Sequence, residues 1–157
     1  LTAARSGETL GMTWGEIDLE AAIWTLPAAR MKAGRIHQVP LSVASLRILK
    51  DLRPSHPDAN AKVFVGKHGK PLSNMAMSML LRRMGYDGIT VHGFRSIFRD
   101  WAGETTSFSR EDVETALAHT VTSKTERAYR RGAALEKRRE IMKAWASFCG
   151  SQEGHRT

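Results

Sequence analysis

The chain has a single cysteine, Cys149, among 157 residues. One thiol excludes an intramolecular disulfide and a cysteine-based zinc site, and it agrees with a reducing, cytoplasmic setting. No run of about eighteen apolar residues occurs, and no charged start is followed by an apolar core and cleavage site, so neither a membrane span nor a secretory signal is read. Internal repeats and low-complexity segments are also missing. Acidic residues are scarce, 16 against 24 lysines and arginines, which leaves a net charge of +8 and a pI near 10.1. That balance points to an anionic partner, most often nucleic acid and less often an acidic membrane surface. No paired carboxylates accompany the histidines singled out below, which argues against a metal-dependent nuclease.

What is present suits one folded unit. A hydrophobic share of 41% at this length supports a sizeable core. One domain is expected over residues 1–149, with 150–157 as a flexible tail. Leu1-Thr2-Ala3-Ala4-Arg5 reads like the end of an element already under way, so a fragment of a longer protein is expected.

A short helix follows with Ser6 as its cap. Ile17, Ile23, Trp24, Leu26, Ile36 and Val39 are strand formers spaced by turn residues, which predicts a small antiparallel sheet. Ala33-Gly34 is read as a hairpin tip, with Lys32 projecting from one arm. Helical spacing returns from Leu41 to Leu52 behind Ser42 as N-cap.

A helix from Ser73 to Gly85 carries Met75, Met77, Met79, Leu80, Leu81 and Met84, read as core-filling residues. Helices are predicted from His92 to Ala102, with Phe94, Ile97, Phe98 and Trp101 on its apolar side, and from Ser109, a cap with acids behind it. Two more cover 125–131 and 134–148. Trp14, Trp24, Trp101 and Trp145 are assigned to the core, and His37, His56, His68 and His155 to the surface.

The chemistry gathers near the end. Residues 119–143 hold eight lysines or arginines against three glutamates, and within them His119 precedes Tyr129 by ten residues. A tyrosine hydroxyl is a poor nucleophile at neutral pH unless cations or a base favour its phenolate. Arg5 and Arg95 are permanently charged planar donors suited to phosphate oxygens. His92 and His119 can donate hydrogen bonds or relay a proton. Lys32 can protonate a leaving hydroxyl if neighbouring arginines lower its pKa. Trp101 follows His92 and Arg95 closely enough to support them. Lys70, Lys124, Arg130 and Arg131 are candidate phosphate contacts that add affinity without reading sequence.

Ala4-Arg5-Ser6-Gly7-Glu8, Arg30-Met31-Lys32, His92-Gly93-Phe94-Arg95, Leu117-Ala118-His119 and Glu126-Arg127-Ala128-Tyr129 stand in one order. With His37-Gln38-Val39-Pro40-Leu41-Ser42 and Leu135-Glu136-Lys137-Arg138-Arg139, they make the chain resemble the catalytic domain of tyrosine recombinases, specifically phage and genomic-island integrases. The resemblance covers about Leu1 to Phe148. It implies an α+β, mainly helical fold with a small antiparallel sheet at one edge. It also implies a metal- and ATP-independent recombinase in which Tyr129 forms a 3′-phosphotyrosyl link with double-stranded DNA, with no cofactor.

By the same resemblance Glu8 supports the first arginine. Arm-binding and core-binding domains would lie upstream, the full-length protein would act as a homotetramer on paired attachment sites, and DNA-bending or directionality proteins would assist it. Ala118 stands where many relatives have glycine. The alternative from another class is a DNA-binding module or inactive recombinase remnant that holds DNA without cutting it.

Overall fold

The computed structural model describes residues 1–119 and 131–151, with side chains from 134 onward in the second stretch. Tyr129, Lys124, Arg130, His155 and nearly all of the helix expected over 125–131 lie outside the described residues, as does the side chain of Arg131.

The fold is α+β and mainly helical. Its elements are α1 (Ser6–Leu10), β1 (Ile17–Asp18), β2 (Ile23–Leu26), β3 (His37–Pro40), α2 (Val43–Leu52), α3 (Ala76–Arg83), α4 (Gly93–Thr105), α5 (Arg110–Ala116) and α6 (Arg131–Ser151). The strands form an antiparallel sheet in the order β1-β2-β3, with Trp24 opposite Val39 and Leu26 opposite His37. Alternation along β2 sends Trp24 and Leu26 to the same face, where both are fully buried, as a two-residue strand period requires.

Two cores result. The first packs Met12, Trp14, Trp24, Leu26, Met31, Val39, Leu41, Leu49 and Val63 around the sheet. The second joins α4, α5 and α6 through Phe98, Trp101, Val113, Leu117, Ile141, Met142 and Trp145. Its centre is aromatic, with Phe98 and Trp145 edge-to-face at 5.3 Å and Trp101 5.1 Å from Trp145, separations at which such rings attract. All four tryptophans are buried. Ala3 packs against the second core, and Ala4 and Ala118 against the first. The seam between the cores therefore runs past Arg5 and His119.

Ser42 and Ser109 cap α2 and α5 as expected, accepting the backbone N–H groups of Ser45 at 3.3 Å and Asp112 at 3.1 Å. Several expectations are corrected. Ser6 does not cap α1: Arg5 occupies that position, and the Glu8 carboxylate takes the Arg5 backbone N–H at 2.8 Å. Lys32 is not on a strand arm, because β2 ends at Leu26 and β3 starts at His37. It sits exposed in the connection, where Gly34 N–H closes a turn on the Met31 carbonyl at 2.9 Å.

The methionine helix starts at Ala76 rather than Ser73 and has no buried residue; Met75, Met79, Leu80 and Met84 are exposed. Phe94 and Ile97 are exposed too, while Phe98 and Trp101 are buried. Along α4 the apolar positions are spread more widely than the stripe that faces the second core, so only the latter pair is covered. His37, assigned to the surface, is half-buried.

Candidate active site

Arg5 is held by a single carboxylate at both its ends. Glu8, buried in the first turn of α1, accepts the Arg5 backbone N–H on Oε2 at 2.8 Å and Arg5 Nη1 on Oε1 at 2.7 Å. Glu8 therefore closes the helix start and aims the guanidinium together, as charge-assisted bonds at a helix N-terminus favour. The Glu8 carbonyl in turn accepts Arg30 Nη2 at 2.6 Å. Arg30 also pairs with Glu16, whose other oxygen accepts Trp24 Nε1 at 3.0 Å. Through Arg30 the segment leading to Lys32 is tied to the helix that presents Arg5.

Arg95 enters from α4 and is buried, 7% exposed. Nη1 donates to the Ala3 carbonyl, and Nη2 donates to the Leu117 carbonyl at 2.8 Å and lies 3.2 Å from His119 Nε2. Burial and then the Arg5 charge push the Arg95 guanidinium below its ordinary range, against the pull of Glu8 and Glu114. It stays charged. Three of its N–H groups are thus committed within the described residues, out of the roughly five that a guanidinium offers.

His119 is placed by the end of α5. Ala118 N–H bonds the Thr115 carbonyl at 3.0 Å and His119 N–H bonds the Glu114 carbonyl at 2.9 Å, with Ala118 in the left-handed region at φ 54°. This is a Schellman termination. It folds His119 back so that Nδ1 lies 2.5 Å from Glu114 Oε2. Arg95 can only donate, so His119 Nε2 accepts and Nδ1 carries the proton toward Glu114, an assignment fixed by the hydrogen-bond network. Burial alone would raise the Glu114 carboxyl, but the His119 hydrogen bond and the charges of Arg99 and Arg110 leave it below its ordinary value.

Arg5, Lys32, Ala33, Ala118 and His119 line one open cleft of about 330 Å³. Arg95 adjoins it through His119. The structure thus brings together four of the residues singled out from sequence, from positions 5, 32, 95 and 119. His92, at the N-cap of α4, is exposed and outside that lining. Lys70 lies on an exposed turn closed by Gly66 N–H on the Lys70 carbonyl at 2.8 Å. Trp101 is buried among Phe98, Trp145 and Phe148, inside the same helix that carries Arg95. Among the described residues no group of three or more His, Cys, Asp or Glu gathers in a way that could hold a metal ion.

Glu114, Arg30 and His37 escaped sequence reasoning. Glu114 stands five residues before His119, a separation that meets on neither helix face, so only the turn at Ala118 makes them neighbours. Arg30 was seen only as a flank of Lys32. Burial, followed by the Arg138 charge, lowers His37 to about 4, with Arg5 adding to that and Glu8 and the Ala116 carbonyl opposing it. The nearest signal was its place ahead of the Gln38-Val39-Pro40-Leu41 run.

Comparison with known proteins gives one family. The model described as "Phage integrase family" matches residues 1–136. Prophage integrase IntA of Escherichia coli is 38% identical over 153 residues, covering 94% of this chain and 36% of that protein. Prophage integrase IntZ of the same organism is 39% identical over 153 residues, with 96% and 38% covered. The integrase of Shigella phage Sf6 is 32% identical over 150 residues, with 94% and 39% covered. The chain thus spans less than half the length of each of these relatives. No solved structure gives a significant match.

Proposed function

Because the chain belongs to the phage integrase family, we propose that it is the catalytic part, residues 1–149, of a site-specific recombinase that cuts and rejoins double-stranded DNA through Tyr129. The observation that carries this reading is the convergence of Arg5, Lys32 and His119 on one cleft with Arg95 beside it. Such a cleft suits a phosphodiester. Arg5 and Arg95 neutralise the non-bridging oxygens as negative charge grows on them, and preformed donors of this kind act most strongly in the transition state. Among the described residues the Nε–H and one Nη1 N–H of Arg95 have no partner, so each can make a single contact to a phosphate oxygen.

The Tyr129 oxygen attacks phosphorus, a 3′-phosphotyrosyl bond forms, and the bond to the 5′ oxygen breaks. Lys32 gives that oxygen its proton. His92 and His119 position the phosphate or relay the tyrosine proton. The new ester stores the energy of the old one, so a 5′-hydroxyl from a second duplex reverses the step without ATP. Glu8 and Trp101 support the arginines, and Lys70, Lys124, Arg130 and Arg131 hold flanking phosphates.

The full-length protein would act in the cytoplasm as a homotetramer on paired attachment sites, aided by DNA-bending or directionality proteins. Among the described residues no helix is long and apolar enough to cross a membrane. The test is a nicked suicide duplex carrying the attachment site: the full-length protein gives a covalent protein–DNA adduct and Tyr129→Phe gives none. An adduct surviving in Tyr129→Phe refutes the nucleophile. DNA binding without any adduct favours the non-catalytic module instead.

A further inference from the structure

We propose that Glu114 is a positioning residue for His119, holding its ring in the Nδ1–H form with Nε2 turned toward Arg95 and the phosphate cleft; this rests on the functional reading above. Glu114 lies on the last turn of α5 and does not line the cleft. Its Oε2 is 2.5 Å from His119 Nδ1, while its Oε1, fully buried, faces Arg99 Nε at 2.9 Å without hydrogen-bond direction. The backbone enforces the same pairing, since the Glu114 carbonyl accepts His119 N–H at 2.9 Å.

The ring is therefore held by a main-chain bond behind it, a carboxylate at Nδ1 and the Arg95 guanidinium at Nε2. A carboxylate behind an imidazole fixes which nitrogen carries the proton and where the other one points. It also supplies the countercharge when Nε2 takes up a proton to donate to a phosphate oxygen. Arg99 anchors the carboxylate from α4, the helix that carries Arg95, so both partners of His119 are held on one scaffold.

The chain itself, free of DNA, provides the first measurement. Imidazole nitrogen correlation spectra, with the His119 signals assigned through His119→Asn, are expected to show the proton on Nδ1 in the wild type and in Glu114→Gln, and to lose that signature in Glu114→Ala. The second uses the full-length protein on the nicked duplex. Glu114→Ala slows adduct formation by about tenfold or more, the scale typical of partners behind a working histidine. DNA affinity and melting temperature stay near wild type, and Glu114→Gln recovers much of the lost rate.

A wild-type His119 protonated on Nε2, or a Glu114→Ala protein with unchanged tautomer and rate, overturns the proposal. So does a rate loss matched by a loss of folding in both variants. If the wild type itself forms no adduct, the recombinase reading fails instead, and the tautomer measurement still decides the role of Glu114.

Discussion

Ala118 offers a sharp test of how the site is built. Two helices end in the same way. After α3, Gly85 N–H bonds the Arg82 carbonyl and Tyr86 N–H bonds the Leu81 carbonyl, each at 2.9 Å, with Gly85 at φ 81°. After α5 the equivalent left-handed position, φ 54°, is filled by alanine. A side chain in that region costs about 1–2 kcal/mol. Glycine would remove this cost but lose roughly 0.5–1 kcal/mol through its freer unfolded state. The half-buried Ala118 methyl, packed on the first core, is worth about 0.4 kcal/mol, half the value of a fully buried CH₂.

Ala118→Gly should thus leave stability level or raise it by up to about 1 kcal/mol. A β-branched residue is strained far more there, so Ala118→Val should cost on the order of 2 kcal/mol, a fall in Tm of roughly 4–8 °C for a chain of this size. Gly85→Ala is the mirror control: an added Cβ there meets nothing within 4 Å, so its expected loss of about 1 kcal/mol would be backbone alone. Reversible thermal unfolding followed by far-UV circular dichroism reads all three. An Ala118→Val protein melting at or above wild type would refute the claim that this turn holds His119 against Glu114.

Two further substitutions probe the frame around Arg5. His37 is held to about 4, below its ordinary value near 6.5, so the unfolded chain binds its proton first as pH falls. Its contribution is complete above about pH 6.5 and is lost between there and pH 4, at most about 3 kcal/mol; urea unfolding across that range should show a flatter pH dependence in His37→Gln, and an identical slope would contradict it. A Cβ on Gly11 would lie 2.6 Å from Arg30 Nη2 and 3.0 Å from the Gly7 carbonyl. Because Arg30 is fixed by Glu16 and the Glu8 carbonyl, Gly11→Ala should lower stability by about 1–3 kcal/mol, read as a drop in the urea midpoint with unchanged slope.

What could be read from sequence was what local chemistry decides. Ser42 and Ser109 cap because a short hydroxyl side chain ahead of a helix has an orphan N–H to satisfy, and the Trp24–Leu26 alternation declared its strand. The α3 methionines misled because helical spacing of apolar residues reports an apolar face without saying what covers it. Phe94 and Ile97 misled in the same way. Lys32 was placed in the right loop but on the wrong footing, since a ten-residue connection leaves strand register undetermined. In the site, Arg5, Lys32, Arg95 and His119 were legible as residue types suited to phosphate. Of their supports Glu8 was legible and Arg30 and Glu114 were not, because Arg30 bonds the Glu8 backbone carbonyl and the Glu114 carboxylate meets His119 only through the turn at Ala118, which no residue spacing encodes.

The positions of those supports explain how this cleft is built. Arg5 and His119 sit at the ends of short helices, where N–H and C=O groups lack intrahelical partners. At α1 the Glu8 carboxylate satisfies the start of the helix with one oxygen and orients the Arg5 guanidinium with the other. At α5 the closing turn satisfies the last carbonyls and delivers His119 to Glu114 and Arg95. Arg95 completes the arrangement by bonding the Ala3 and Leu117 carbonyls, which belong to the segments just before α1 and just after α5. A buried guanidinium thus staples the two helix ends together, and replacing it by lysine would preserve the charge but not the fork that spans them.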